Sequence, residues 1–180
     1  LNKSKIIIIG GGISGVGAAK LAVSLGLETT ISSLSYFDIK TKSKLIFLGI
    51  KIEEGKHSTS LLTKNCTVVK SPGVTDSIPF LKFARREKVP IISEIEFAYQ
   101  FSNAKIIAIT GTNGKTTTSK LIYDILKNAG LNVCLAGNIG TSFSESLINT
   151  NYSHFVLEVS SFQLDNIINF KPDISVILNV

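Results

Sequence analysis

The chain has 180 residues, 44% of them hydrophobic and 18% charged, which excludes a disordered or fibrous protein and suits one ordinary domain or two small ones. No apolar run approaches the ~18 residues of a bilayer span, since the strongest is broken at once by Gly10, Gly11 and Gly12; no membrane insertion is expected and the chain reads as cytoplasmic. The net charge of +6 comes from lysines scattered without an aromatic-and-basic stripe, which speaks against nucleic acid and suits a small polyanionic ligand.

Short apolar runs alternate with stretches of helical period, the pattern of parallel sheets covered by helices, so the fold class is α/β. A strand over 5–10 runs directly into Gly10-Gly11-Gly12-Ile13-Ser14-Gly15 and a helix over 14–25, closed by Gly26. That is G-x-G-x-x-G in the strand-to-helix setting where backbone N–H groups and a helix N-terminus can face a phosphate. A dinucleotide enzyme would also place an acid at the end of the second strand, but the strand over 28–32 ends Ile31-Ser32-Ser33. A phosphorylated ligand such as a UDP-sugar therefore fits better than NAD or FAD, with a turn that binds nothing as the bland alternative.

A strand over 67–70 leads into Ser71-Pro72-Gly73 at a sheet's C-terminal edge, where it can wall the same pocket; alone it is only a turn. A helix over 77–88 and a strand over 90–92 follow, and a domain boundary is expected within 93–103, dividing the chain into 1–93 and 94–180.

The strand over 104–109 opens the most informative stretch, Thr110-Gly111-Thr112-Asn113-Gly114-Lys115-Thr116-Thr117, ahead of a helix over 116–129. The usual phosphate loop would begin with glycine where this chain has Ile109, so this is a shorter variant starting at Gly111. Its chemistry is intact: loop amides can cradle phosphates, Lys115 can reach the β and γ oxygens, and the Thr116 hydroxyl can ligate Mg²⁺. After a strand over 132–135, the strand over 154–157 ends in Glu158, a hard oxygen ligand at the place where a triphosphate-bound magnesium wants one.

A last strand is expected over 174–178 and, with no methionine anywhere, the chain reads as a fragment of a longer protein. Cys66 and Cys134 lie far apart without metal-ligand spacing and read as reduced thiols. His57 in a loop and His154 beside a strand have no companion ligands and carry no assigned chemistry.

Taken together, the loop at 110–117, Gly137-Asn138-Ile139-Gly140 and Glu158-Val159-Ser160-Ser161-Phe162-Gln163-Leu164 resemble the central domain of the Mur ligases. Within that family, Ser71-Pro72-Gly73 and the Ser-Ser-Phe-Gln-Leu run look like the branch that adds D-glutamate. The resemblance implies a Rossmann-like, UDP-sugar-binding domain over 1–93 followed by the first part of a P-loop ATPase-type domain over 94–180. It implies ATP and Mg²⁺ as cofactors, UDP-N-acetylmuramoyl-L-alanine and D-glutamate as substrates, and a monomer that activates a carboxylate as an acyl phosphate.

By the same resemblance Lys115, Asn138 and Glu158 are the catalytic candidates, and residues 111–117 (Gly111, Thr112, Asn113, Gly114, Lys115, Thr116, Thr117) hold the nucleotide. Thr116 and Glu158 hold magnesium. Asn138, Ser160 and Gln163 line the muramoyl side, while Ile13, Ser14, Ser33, Ser71 and Gly73 hold the uridine diphosphate. Ser32 departs from the pattern, since relatives commonly carry Asp there. The histidine, aspartate, carbamylated lysine and C-terminal domain that follow in the family lie outside this sequence, so the chain alone is expected to make no product. A sister ligase with another amino acid, a non-catalytic dinucleotide module and a nucleic-acid motor are the rival readings; for the last, stacking aromatics and a basic groove are not evident.

Overall fold

The computed structural model describes residues 5–148 and 150–179. β1 (Lys5–Ile9) carries four consecutive isoleucines, and because successive strand side chains point to opposite faces, Ile6 and Ile8 enter one apolar cluster while Ile7 and Ile9 enter another. Burial on both faces is what a parallel sheet demands. β1 sits at the centre of a parallel sheet with β2 (Thr29–Ser33), β3 (Lys51–Glu54), β4 (Cys66–Lys70) and β5 (Ile91–Ser93), in the order β3-β2-β1-β4-β5. All its strands point the same way, so the loops after β1, β2, β3 and β4 gather along one edge.

α1 (Ile13–Ser24) buries Gly15, Gly17, Ala18, Ala19, Leu21 and Ala22, small residues that let the helix axis lie close to its neighbours. α3 (Pro79–Arg86) covers the other face with Phe80 and Leu81, packed on Ile7 and Ile9. Complete burial of each such side chain stabilises by about 1.5–3 kcal/mol.

The second sheet is also parallel: β6 (Lys105–Thr110), β7 (Val133–Gly137), β8 (His154–Glu158) and β9 (Ile174–Ile177), in the order β7-β8-β6-β9. α5 (Lys115–Asn128) lays Ile122, Tyr123 and Leu126 on Ile107, Ile109, Val133 and Val156. The opposite face carries Phe155, stacked edge-on against Phe143 with ring centroids 5.0 Å apart. That face belongs to the cluster that includes Ile6, Ile8, Ala18 and Ala22, so the two sheets share one apolar core. The fold is thus α/β throughout, a Rossmann-like sheet followed by a P-loop-type sheet.

Among the described residues, four α-helices and one strand go beyond the sequence reading, as does a single 3-10 turn at Thr59–Leu61. α2 (Ile39–Phe47) carries three lysines and buries only Leu45, and β3 beside it is a charged edge strand, so neither shows a core-facing period. α4 (Glu94–Tyr99), α6 (Phe143–Ser146) and α7 (Ser161–Leu164) are short helices of four to six residues. The strand predicted over 67–70 begins one residue earlier, at Cys66, and the helix predicted over 77–88 is trimmed to Pro79–Arg86, with Pro79 at its first turn. Cys66 is buried and Cys134 half-buried, both as free thiols. Among the described residues no helix is long and apolar enough to cross a membrane.

Candidate active site

The loop after β1 turns so tightly that a Cβ on Gly15 would lie 1.9 Å from the Gly10 carbonyl oxygen; only glycine permits the strand to enter α1 there. The resulting turn forms one wall of a cavity of ≈ 500 Å³ lined also by the loops after β2, β3 and β4. Ile13, Ser14, Ser33, Ser71 and Gly73 all border it. The turn at 71–73 is braced from behind: buried Lys70 Nζ lies 3.3 Å from Asp76 Oδ1, which Arg85 also reaches at 2.8 Å.

One further residue at this cavity, and a carboxylate linked to it, had no role legible in the sequence. His57 borders it, and its Nδ1 lies 2.7 Å from Ser32 Oγ at the end of β2. Ser32 Oγ is also 2.7 Å from Glu53 Oε2, because parallel register sets Ser32 opposite Glu53 on β3. The second strand thus ends without an acid, yet its neighbour supplies one. Burial works to raise the Glu53 carboxyl, but hydrogen bonds from Ser58 and Ser32 outweigh it and hold the group below the usual carboxylate range. Burial lowers the His57 imidazolium below its ordinary value, against a smaller opposing pull from Glu53, so His57 is neutral at pH 7.

The second site is built where β6 and β8 end side by side. Register pairs Ile109 with Glu158, and Glu158 in turn with Gly137 of β7, so the buried carboxylate stands between the loops that follow β6 and β7. From one side the Thr116 hydroxyl, on the first turn of α5, donates to Glu158 Oε2 at 2.8 Å. From the other, Asn138 Nδ2 donates to Oε1 at 3.1 Å. Gly137 has φ +105 and a Cβ there would fall 2.3 Å from the Glu158 carbonyl oxygen, so glycine is what lets the Asn138 loop close on the strand.

Lys115 Nζ donates to the carbonyls of Gly111 at 2.6 Å and Thr112 at 3.0 Å, folded over its own loop. Thr112 and Asn113 lie exposed along that loop, Gly114 caps α5 in the left-handed region, and Thr117 is exposed on the helix's first turn. Asn179, just past β9, accepts from the backbone N–H of Thr112 at 2.8 Å and of Asn113 at 2.9 Å, and donates to the Asn113 carbonyl at 3.0 Å. It fixes the loop's curvature; only long-range strand pairing brings it there.

A hard cation suits this arrangement. A buried carboxylate with a hydroxyl 2.8 Å away offers two oxygen donors. Among the described residues there is no group of three or more His, Cys, Asp and Glu side chains placed to hold a metal ion.

Ser160 and Gln163 sit at the start of α7, past the end of β8. Gln163 is buried, and its Oε1 accepts from Ser160 N at 3.0 Å and Ser160 Oγ at 3.2 Å, a capping arrangement that occupies the amide oxygen. Asn138, Ser160 and Gln163 stand apart from the first cavity's lining, on the second sheet's side.

α4 is tied to the elements that follow it through buried carboxylates. Glu96 accepts from the backbone N–H groups of Ile168 (2.9 Å), Asn169 (3.0 Å) and Phe170 (2.8 Å), tying down the segment after α7. Glu94 Oε1 accepts from Ser144 N at 2.6 Å in α6, the helix that follows the Asn138 loop. Lys20 of α1 pairs with Glu145 of α6 at 2.5 Å.

Residues 109–180 match the Mur ligase middle domain family. Over 176 residues, 98% of this chain, the sequence is 48% identical to the UDP-N-acetylmuramoylalanine–D-glutamate ligase of Bacteroides fragilis. It is 45% identical over 178 residues to the enzyme of the same name from Cytophaga hutchinsonii. The chain spans 40% of the length of each of these relatives. Among solved structures, the UDP-N-acetylmuramate:L-alanyl-γ-D-glutamyl-meso-diaminopimelate ligase from Neisseria meningitides superposes with a TM-score of 0.64 at 22% identity, covering 98% of this chain and 60% of that one; this is a likeness of fold. The UDP-N-acetylmuramate–alanine ligase from Thermotoga maritima gives a TM-score of 0.54 at 28% identity, covering 87% of this chain and 37% of that one.

Proposed function

The chain belongs to the Mur ligase family, and from its two phosphate loops we propose that it is the nucleotide-binding part of a cytoplasmic, ATP-dependent ligase that joins D-glutamate to UDP-N-acetylmuramoyl-L-alanine in peptidoglycan precursor synthesis. Residues 1–93 hold the uridine diphosphate at the cavity bordered by Ile13, Ser14, Ser33, Ser71 and Gly73, and residues 94–180 hold the triphosphate. The observation that supports this reading is that Glu158 accepts from Thr116 at the start of α5 and from Asn138 in the loop after β7, as a metal-ligating carboxylate between a triphosphate and a sugar substrate would.

In this reading the alanyl carboxylate attacks the γ-phosphorus of ATP and ADP leaves. The amine of D-glutamate then attacks the acyl phosphate, expels phosphate and forms the amide. Such chemistry is mainly positioning and charge neutralisation. Lys115 exchanges its loop carbonyls for the β and γ oxygens. The loop amides cradle the same phosphates, and Asn138, Ser160 and Gln163 orient the muramoyl side. Thr116 and Glu158 hold Mg²⁺, which when bound neutralises phosphate charge.

The test is phosphate release by the full-length protein with ATP, UDP-N-acetylmuramoyl-L-alanine and a panel of amino acids. Release that depends on both the UDP-sugar and D-glutamate is the expected result. Release with another amino acid, or none, removes the proposal.

A further inference from the structure

The hydrogen-bond chain Glu53–Ser32–His57 has a chemical consequence at the cavity wall. Ser32 Oγ owns one hydrogen, yet two acceptors, Glu53 Oε2 at 2.7 Å and the Lys56 carbonyl at 2.9 Å, already compete for it. His57 Nδ1, 2.7 Å from the same oxygen, therefore cannot be a third acceptor; it carries the hydrogen and donates to Ser32. Burial favours the neutral ring, so the second ring nitrogen, Nε2, is a bare acceptor. Among the described residues no hydrogen bond engages Nε2, and the residue borders the cavity.

An acceptor held at that wall recognises a donor, not a phosphate. Phosphate oxygens are themselves acceptors and belong at the glycine turn, where the helix N-terminus points. We propose that the Glu53–Ser32–His57 chain makes His57 Nε2 a specificity-determining acceptor for a hydrogen-bond donor of the bound nucleoside, either the imide N–H of a uracil-type base or a ribose hydroxyl. The inference rests on the reading of this cavity as a uridine diphosphate pocket. It assigns to His57, reached through Ser32, the discrimination that the second strand's own end residue does not provide. A nucleobase with an acceptor in place of the imide N–H, such as cytosine, would set two lone pairs against each other.

Calorimetric titration of the full chain with UDP, CDP and 2′-deoxy-UDP separates the two donors. The native chain is expected to bind UDP and to lose about tenfold in affinity for one of the analogues: CDP if the base is read, 2′-deoxy-UDP if the ribose is read. His57→Ala should bind UDP more weakly and treat that analogue and UDP alike. His57→Gln, which can present an amide oxygen, should restore part of the discrimination while circular dichroism reports the native fold for both variants. Equal native affinity for all three ligands, or full discrimination retained in His57→Ala, overturns the assignment while leaving the uridine pocket standing. Absence of UDP binding by the native chain overturns both.

Discussion

Thr116 and Glu158, 42 residues apart in the chain, meet in a hydrogen bond of 2.8 Å. The meeting follows from register: β6 and β8 are parallel neighbours, Ile109 lies opposite Glu158, and the loop leaving β6 folds back to start α5 beside the same carboxylate. A buried carboxylate with neutral donors alone is costly, and a bound cation would offset that cost.

Lys115 tests the phosphate loop with little risk to the fold, since it is half-exposed and its listening partners are carbonyls of its own loop. Charge-assisted hydrogen bonds contribute about 1.5–3 kcal/mol, so Lys115→Met should weaken ATP binding roughly 10- to 100-fold. Thermal unfolding should stay close to native. Unchanged nucleotide affinity would show that the loop serves no triphosphate.

The glycine turn makes a paired prediction. Gly15→Ala forces a Cβ to within 1.9 Å of Gly10 O, while a Cβ on Gly12 meets nothing within 4 Å. Overpacking of this kind costs about 1–3 kcal/mol, so Gly15→Ala should lower the melting temperature and remove UDP binding. Gly12→Ala, at the N-cap of α1, meets no such clash and should cost only the poorer cap, about 0.5–1 kcal/mol, while leaving UDP binding in place. Denaturant unfolding and UDP titration of both variants decide it.

Glu94 sets the sign of a pH effect. Burial pushes its carboxyl above the ordinary 4.5, against hydrogen bonding from Ser144. The native state then keeps a proton that the unfolded chain releases, so this group's stabilisation is full below pH 4.5 and is lost as pH rises through the raised native value. Glu94→Gln removes that dependence and should raise the melting temperature at neutral pH by about 2–4 °C for each kcal/mol gained. The gain should shrink as pH falls towards 4.5, whereas a gain independent of pH would mean that the buried carboxyl is not the cause.

The long elements were legible because their periods are strong: four isoleucines in β1, the apolar strand ahead of the phosphate loop in β6, and the three-and-four spacing of α1 and α5. Three of the helices that went unseen share one signature, a serine followed three residues later by Glu or Gln. Ser93 accepts from Glu96 N, Ser142 from Glu145 N, and Ser160 closes with Gln163. In two of them the acidic side chain leaves the cap for a distant partner: Glu96 takes backbone N–H groups at 168–170, and Glu145 takes Lys20. Those turns are too short to show a period and are held by tertiary contacts, which override local propensity. His57, Glu53 and Asn179 lay beyond reading for a related reason, since each acquires its role from a strand register or a loop many residues away.

The most direct measurement is a calorimetric titration of the full chain with ATP in the presence of Mg²⁺ and again with a chelator, in the native protein and in Glu158→Gln. The account predicts that Mg²⁺ strengthens native binding by about tenfold or more and that the substitution abolishes this enhancement, because the amide cannot serve as the anionic ligand. Native binding indifferent to Mg²⁺, or an enhancement that survives in Glu158→Gln, would contradict it.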